Sequence, residues 1–244
     1  MINFIALQST LTIKKIINDL TGLIFPEICC SCGGRLTQHE ESICLDCLYN
    51  LPKTFFHQIP NNPVSKRMNG RIEFENATAL YFFAKSGRVQ KLIHQLKYKG
   101  KYDIGIKLGE QLGKTLRKEN NWLNIDAIVP IPLHPKRLKQ RGYNQAEAIA
   151  EGLSITMDLP IAKDLVMRKV NNTSQTKKKD NASRWKNVKD IFKVNDPNAR
   201  NQHFLLVDDV ITTGSTMEAC AIAIKKQIPS ASFSFATVAC ADIF

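Results

Sequence analysis

The sequence predicts an α/β fold, a parallel sheet flanked by helices, with a small cysteine-rich unit and a leading amphipathic helix before it. Three observations carry this. From about residue 77 onward, apolar runs of strand length alternate with segments of helical period, the pattern of a parallel sheet with right-handed crossovers. Five of the seven cysteines crowd between Cys29 and Cys47. One apolar run, Phe204 to Val207, leads into Asp208-Asp209 and then a hydroxyl-rich loop with a single glycine.

The elements follow in chain order. Ile13, Ile16, Ile17, Leu20, Leu23 and Ile24 recur at helical spacing before Pro26, so residues 1 to 25 are expected to hold a helix with one apolar face. Residues 26 to 52 are short, turn-rich and dominated by cysteine. Residues 53 to 76 hold Pro60, Pro63 and Gly70 without a sustained period and are expected to be a linker. The main domain, 77 to 244, is expected to begin with a strand at Ala79–Phe83, followed by helices at Arg88–Lys97 and Asp103–Lys118. A strand at Ile125–Ile131, a helix at Asn144–Met157, a strand at Phe204–Val207, a helix at Ser215–Lys226 and a strand at Ser232–Ala239 complete it. Nowhere do 18 apolar residues run together, so no transmembrane segment is expected. No basic stretch and cleavage site open the chain, and the reading is a cytoplasmic protein, with the inner membrane face as a further place of action.

Cys29-x-x-Cys32 and Cys44-x-x-Cys47 are two C-x-x-C pairs that can surround one tetrahedral ion, which points to structural zinc. Gly33 and Gly34 suit a turn whose N–H groups approach the sulfurs. A one-residue shift that uses Cys30 is an alternative set. Four protein ligands close the coordination sphere, so such a metal folds its unit and does no chemistry. Cys220 and Cys240 lie in apolar surroundings that suit buried thiols.

The loop Thr212-Thr213-Gly214-Ser215-Thr216 sits between a strand and a helix. Its glycine permits close backbone approach, its N–H groups and the helix start supply partial positive charge, and its hydroxyls add donors. That combination suits a phosphate monoester. Asp208 and Asp209 repel one another unless they accept hydrogen bonds from ribose hydroxyls or face a divalent cation. No lysine follows the glycine, which excludes a Walker loop, and one glycine is too few for a dinucleotide fingerprint. The five histidines show neither metal spacing nor a nucleophile partner, so no catalytic residue is assigned.

The segment Val207 to Thr216 resembles the motif that binds phosphoribosyl pyrophosphate (PRPP) in type I phosphoribosyltransferases. The resemblance implies that Asp208 and Asp209 hold the ribose hydroxyls of Mg²⁺-bound PRPP, and that Thr212 through Thr216 hold the 5′-phosphate. Leu96-Lys97-Tyr98-Lys99-Gly100, Val129-Pro130-Ile131-Pro132, Arg141-Gly142-Tyr143-Asn144-Gln145, Arg168, Thr173, Gln175, Arg184 and the four cysteines extend the likeness. Together they resemble the ComF family of competence-associated proteins, which join a zinc ribbon to such a domain. That family implies a link to DNA uptake, a pyrophosphate loop at Pro130, Ile131 and Pro132 with exposed N–H donors, and a hood over the substrate near residues 168 to 189.

A formal charge of +12 favours an acidic partner. Lys97 and Lys99 around Tyr98 can pair phosphates while the ring stacks on bases, or Tyr98 can pack on the sheet. Arg137 and Arg141 open a helix near the proline turn, and Lys177, Lys178, Lys179 and Arg184 lie in a polar stretch. These are the nucleic-acid candidates. Three functions fit: a phosphoribosyltransferase, a protein that senses a phosphoribosyl ligand while holding single-stranded DNA, and an adaptor whose zinc ribbon docks a DNA-translocating helicase.

Overall fold

Four apolar stretches form one parallel sheet in the order β1-β6-β5-β2. They are β1 (Asn76–Phe82), β2 (Ala127–Pro130), β5 (His203–Ile211) and β6 (Ser232–Cys240). The computed structural model describes residues 26–169, 191–195 and 202–241, and the chain divides into two compact units, residues 1–50 and 51–244. The expected helix of residues 1 to 25 lies outside the described residues.

In the first unit, Ile28 bridges Arg35 across a tight turn, and Gly33, at φ 80°, lets the chain reverse. The helix α1 (Leu45–Asn50) carries Cys47 on its buried side. Among the described residues of this unit the buried apolar side chains are Cys29, Ile43, Cys47 and Leu48, two of them cysteines, which is a usual setting for a structural metal.

In the second unit the sheet is covered on both faces, as parallel sheets require, and its central strands are apolar on both sides accordingly. Phe204, Leu206, Phe233 and Phe235 face the helix α7 (Ser215–Gln227), whose Met217, Cys220, Ala221 and Ile224 are buried with them. The other face carries α4 (Tyr102–Leu116) and α6 (Gln145–Met157), which pack closely because small residues meet between them. A side chain on Gly109 would collide with the backbone of Ile149, and one on Gly152 with that of Ile106. The remaining helices are α3 (Arg88–Tyr98) and α5 (Pro135–Arg141), and a small antiparallel pair, β3 (Val166–Arg168) with β4 (Phe192–Val194), stands apart from the main sheet.

Residues 53 to 76 are not an open linker. Thr54 N–H donates to Leu80 O and Phe82 N–H to Pro52 O, which covers the outer edge of β1. A short helix, α2 (Pro63–Met68), follows, with Val64 and Met68 fully buried. Asn62 caps it by accepting from Val64 and Ser65, while its own amide donates to Phe56 O and Ala77 O. A buried amide with that many partners ties the segment to the core. Among the described residues no helix is long and apolar enough to cross a membrane.

Candidate functional site: a cationic cleft at the carboxyl end of the sheet

β5 runs on past the two acids to Ile211, because Asp208 still pairs with Thr237 and Val210 with Ala239 in the β6 ladder. The acids are therefore fixed by strand geometry and not by a loop. They lie on the floor of a cleft of about 410 Å³ that also takes in Ile131, Pro132, Thr212 and Thr216. Lys97, Arg137, Arg141 and Arg168 form its charged wall. Open α/β sheets bind ligands at this end of their strands.

Charge in the cleft is unevenly matched. Lys97 Nζ stands 2.9 Å from Asp209 Oδ2. Asp208 Oδ1 accepts the Asp209 N–H at 2.8 Å. Burial, then the neighbouring Asp209 charge, push the Asp208 carboxyl up to about 7, against a smaller pull downward from that N–H, Lys97 and Arg168. Arg168 lies over the Phe192 ring at 5.6 Å, and its buried Nε has no hydrogen-bond partner among the described residues. Burial and the nearby Arg137 lower its pKa. Arg141 donates to Gln145 Oε1 at 2.6 Å and sits 5.4 Å from the Tyr98 ring centre, and its Nε too has no partner among the described residues. Four cations facing two carboxylates, one of them held well above the usual carboxylate range, make a receptor for a polyanion.

The hydroxyl loop follows at once. Gly214 takes φ 77° and begins α7, and Thr213 Oγ1 and Ser215 Oγ are 3.0 Å apart. Thr212 and Thr216 line the cleft itself. The proline turn departs from expectation. Ile131 N–H donates to Val207 O at 2.9 Å, and prolines carry no N–H, so Pro130, Ile131 and Pro132 offer no backbone donor to the cleft. Pro130 belongs to β2, and Ile131 O accepts from the buried Asn144 amide. Leu133, the next residue with an N–H, lines the cleft together with the side chains of Arg137 and Arg141.

Tyr98 is 55% exposed and its ring lies tilted against that of His94, so it does not pack on the sheet, and Lys99 is exposed beside it. Lys177, Lys178, Lys179 and Arg184 lie outside the described residues. Arg67 and Arg71, which hold the loop from behind, were missed in the sequence because they sit in the stretch taken for a linker. An Asn-Pro pair at Asn62-Pro63 was the available sign of a helix start there.

In the first unit, the sulfurs of Cys29, Cys32, Cys44 and Cys47 all lie within 4.8 Å of one another. Four sulfurs about 2.3 Å from a shared tetrahedral ion stand about 3.8 Å apart. Cys32 Sγ and Cys44 Sγ are 3.8 Å apart, so the set fits a thiolate-binding metal ion. Cys30 is outside this group of four. N–H groups of Ser31 and Cys44 point at Cys29 Sγ, and that of Gly34 at Cys32 Sγ. Burial raises the Cys29 thiol, but the N–H donors outweigh it and bring it down to about 7.

Comparison with known proteins agrees with this geometry. Residues 106–242 match the family model described as phosphoribosyl transferase domain. Competence protein F of Haemophilus influenzae is 33% identical over 55% of this chain and 61% of its own length. The DNA utilization protein YhgH of Escherichia coli is 27% identical over 77% of this chain and 80% of its own. Competence protein ComFC of Bacillus subtilis is 25% identical over 91% of this chain and 98% of its own.

Proposed function

Because the chain belongs to the phosphoribosyl transferase domain family, and within it to the ComF group, we propose that its cleft binds the phosphoribosyl group of Mg²⁺-PRPP. The observation that carries this is the convergence of Asp208, Asp209, Thr212 and Thr216 with four cationic side chains in one cleft. Asp208 and Asp209 would accept from the ribose hydroxyls, and Thr212 through Thr216 would surround the 5′-phosphate with hydroxyl and N–H donors. Arg137 and Arg141, on the helix after the Pro130–Pro132 turn, would hold the pyrophosphate. In a transfer reaction the lone pair of an acceptor nucleophile would form a new bond to C1 as the C1–O bond to pyrophosphate breaks and its electron pair leaves with the pyrophosphate. Fixed guanidinium groups stabilise that departing charge without reorganising. The four-cysteine set would hold structural zinc.

A second reading rests on a separate observation. α5 has no buried residue, carries Lys136, Arg137, Lys139 and Arg141, and adjoins the exposed Tyr98 through Arg141. An aromatic ring among cations is a platform for single-stranded nucleic acid, and the relatives' names, competence and DNA utilization proteins, support a DNA-handling process in which both sites would work. Titration calorimetry with Mg²⁺-PRPP tests the first reading, with saturable binding at one site expected. Heat indistinguishable from dilution would reject it.

A further inference from the structure

The hydroxyl loop is gripped from behind by two arginines that the cleft does not contain. Arg67, in α2, donates through Nη1 to Thr212 O at 2.5 Å and to Ile211 O at 3.4 Å, and through Nη2 to Ala241 O at 2.5 Å. Arg71, just beyond the helix, donates to Thr213 O at 2.9 Å and pairs with Glu218 Oε2 at 3.2 Å. Three successive carbonyls, of residues 211, 212 and 213, thus point to the same side. A trans peptide unit is planar, with its C=O and N–H antiparallel. Turning the Thr212 and Thr213 carbonyls toward α2 turns the N–H groups of Thr213 and Gly214 the other way.

Among the described residues, neither of those N–H groups has an acceptor. Consecutive N–H groups aimed at one point form an anion-binding concavity, and a cation on the carbonyl side of the same peptides strengthens their polarity. The contact is close: a side chain on Gly214 would meet Met68 Sδ of α2 at 2.7 Å. Glycine at that position therefore answers both the positive φ and the approach of α2.

We infer that Arg67 and Arg71 are positioning residues for the phosphate loop, holding its carbonyls so that the Thr213 and Gly214 N–H groups meet the ligand's phosphate monoester. This rests on the phosphate-loop reading above and extends the working site to a segment about 140 residues upstream. An ammonium group cannot replace the guanidinium of Arg67, because the fork reaches carbonyls of two separate chain segments at once.

The test is calorimetric binding of two probes, ribose 5-phosphate and inorganic pyrophosphate, to wild type, Arg67→Met, Arg67→Lys and Arg71→Gln. Both Arg67 variants are expected to lose ribose 5-phosphate affinity at least tenfold and Arg71→Gln several-fold, with pyrophosphate affinity changed less than twofold. A purely structural role would weaken both probes alike or lower only the melting temperature. Should Arg67→Met unfold, Arg67→Lys serves, read by the amide shifts of Thr213 and Gly214 during the ribose 5-phosphate titration. Wild-type affinity in the folded Arg67 variants, or equal loss for both probes, overturns the inference. Gly214→Val separates this from the parent reading: if that variant loses ribose 5-phosphate while the Arg67 variants do not, only the positioning role fails. If wild type and Gly214→Val bind ribose 5-phosphate equally, the phosphate loop itself is misassigned.

Discussion

Asp208 is the residue whose ionisation the fold opposes most clearly within the cleft. Its carboxyl is pushed from an ordinary 3.8 up to about 7, by burial first and by Asp209 second. A folded pKa above the unfolded one means that the folded state holds the proton longer. Its stabilising contribution is complete below pH 4 and is lost as pH rises through about 7. Asp208→Asn is therefore expected to flatten the fall in unfolding free energy between about pH 4 and pH 7 in denaturant titrations, and an unchanged slope would contradict the assignment. A ribose hydroxyl or a divalent cation prefers the ionised carboxylate, so affinity for Mg²⁺-PRPP should rise with pH through the same range. The pair Asp208-Asp209 was legible in the sequence because two adjacent acids at a strand end need a reason. Lys97 reaching Asp209 was not, since only the packing of α3 brings residues that far apart in the chain together.

At the scale of elements, every strand of the main sheet and each long helix was legible from period and apolar content, within a few residues at their ends. Of the short elements only α5 was, as the helix that Arg137 and Arg141 open. α2 has six residues, too few to show a helical period, and β3 and β4 have three each. The close pairing of α4 and α6 was also hidden, because Gly105, Gly109 and Gly113 read locally as helix weakeners although their spacing puts them on one face. Gly109→Ala should destabilise the protein by about 1–3 kcal/mol in chemical denaturation, as overpacking does, and a neutral result would mean the helices can separate freely. The cysteine unit yields its own test. Purified protein should hold about one equivalent of zinc by elemental analysis, and Cys44→Ser should release it and expose residues 26–50 to proteolysis. A folded, metal-free protein under reducing conditions would exclude the metal reading.

Across the whole molecule, a formal charge of +12 exceeds what one phosphoribosyl cleft requires, and part of it lies on α5 and around Tyr98. Single-stranded DNA bound there releases counterions, so log affinity should fall linearly with log salt, by about 0.7 per phosphate contacted. Fluorescence anisotropy of a labelled oligonucleotide should show that slope reduced in a Lys136→Gln, Lys139→Gln double variant, whereas salt-independent binding would remove the DNA reading. What the chain does with its cleft turns on the two acids. The most direct measurement is calorimetric titration of Mg²⁺-PRPP into wild type and into Asp208→Ala, Asp209→Ala double variant, both shown to be folded. The expected result is saturable binding in wild type, weakened by about 1.5–3 kcal/mol for each charge-assisted hydrogen bond removed. Wild-type affinity in the double variant would contradict the assignment of Asp208 and Asp209 to the ribose.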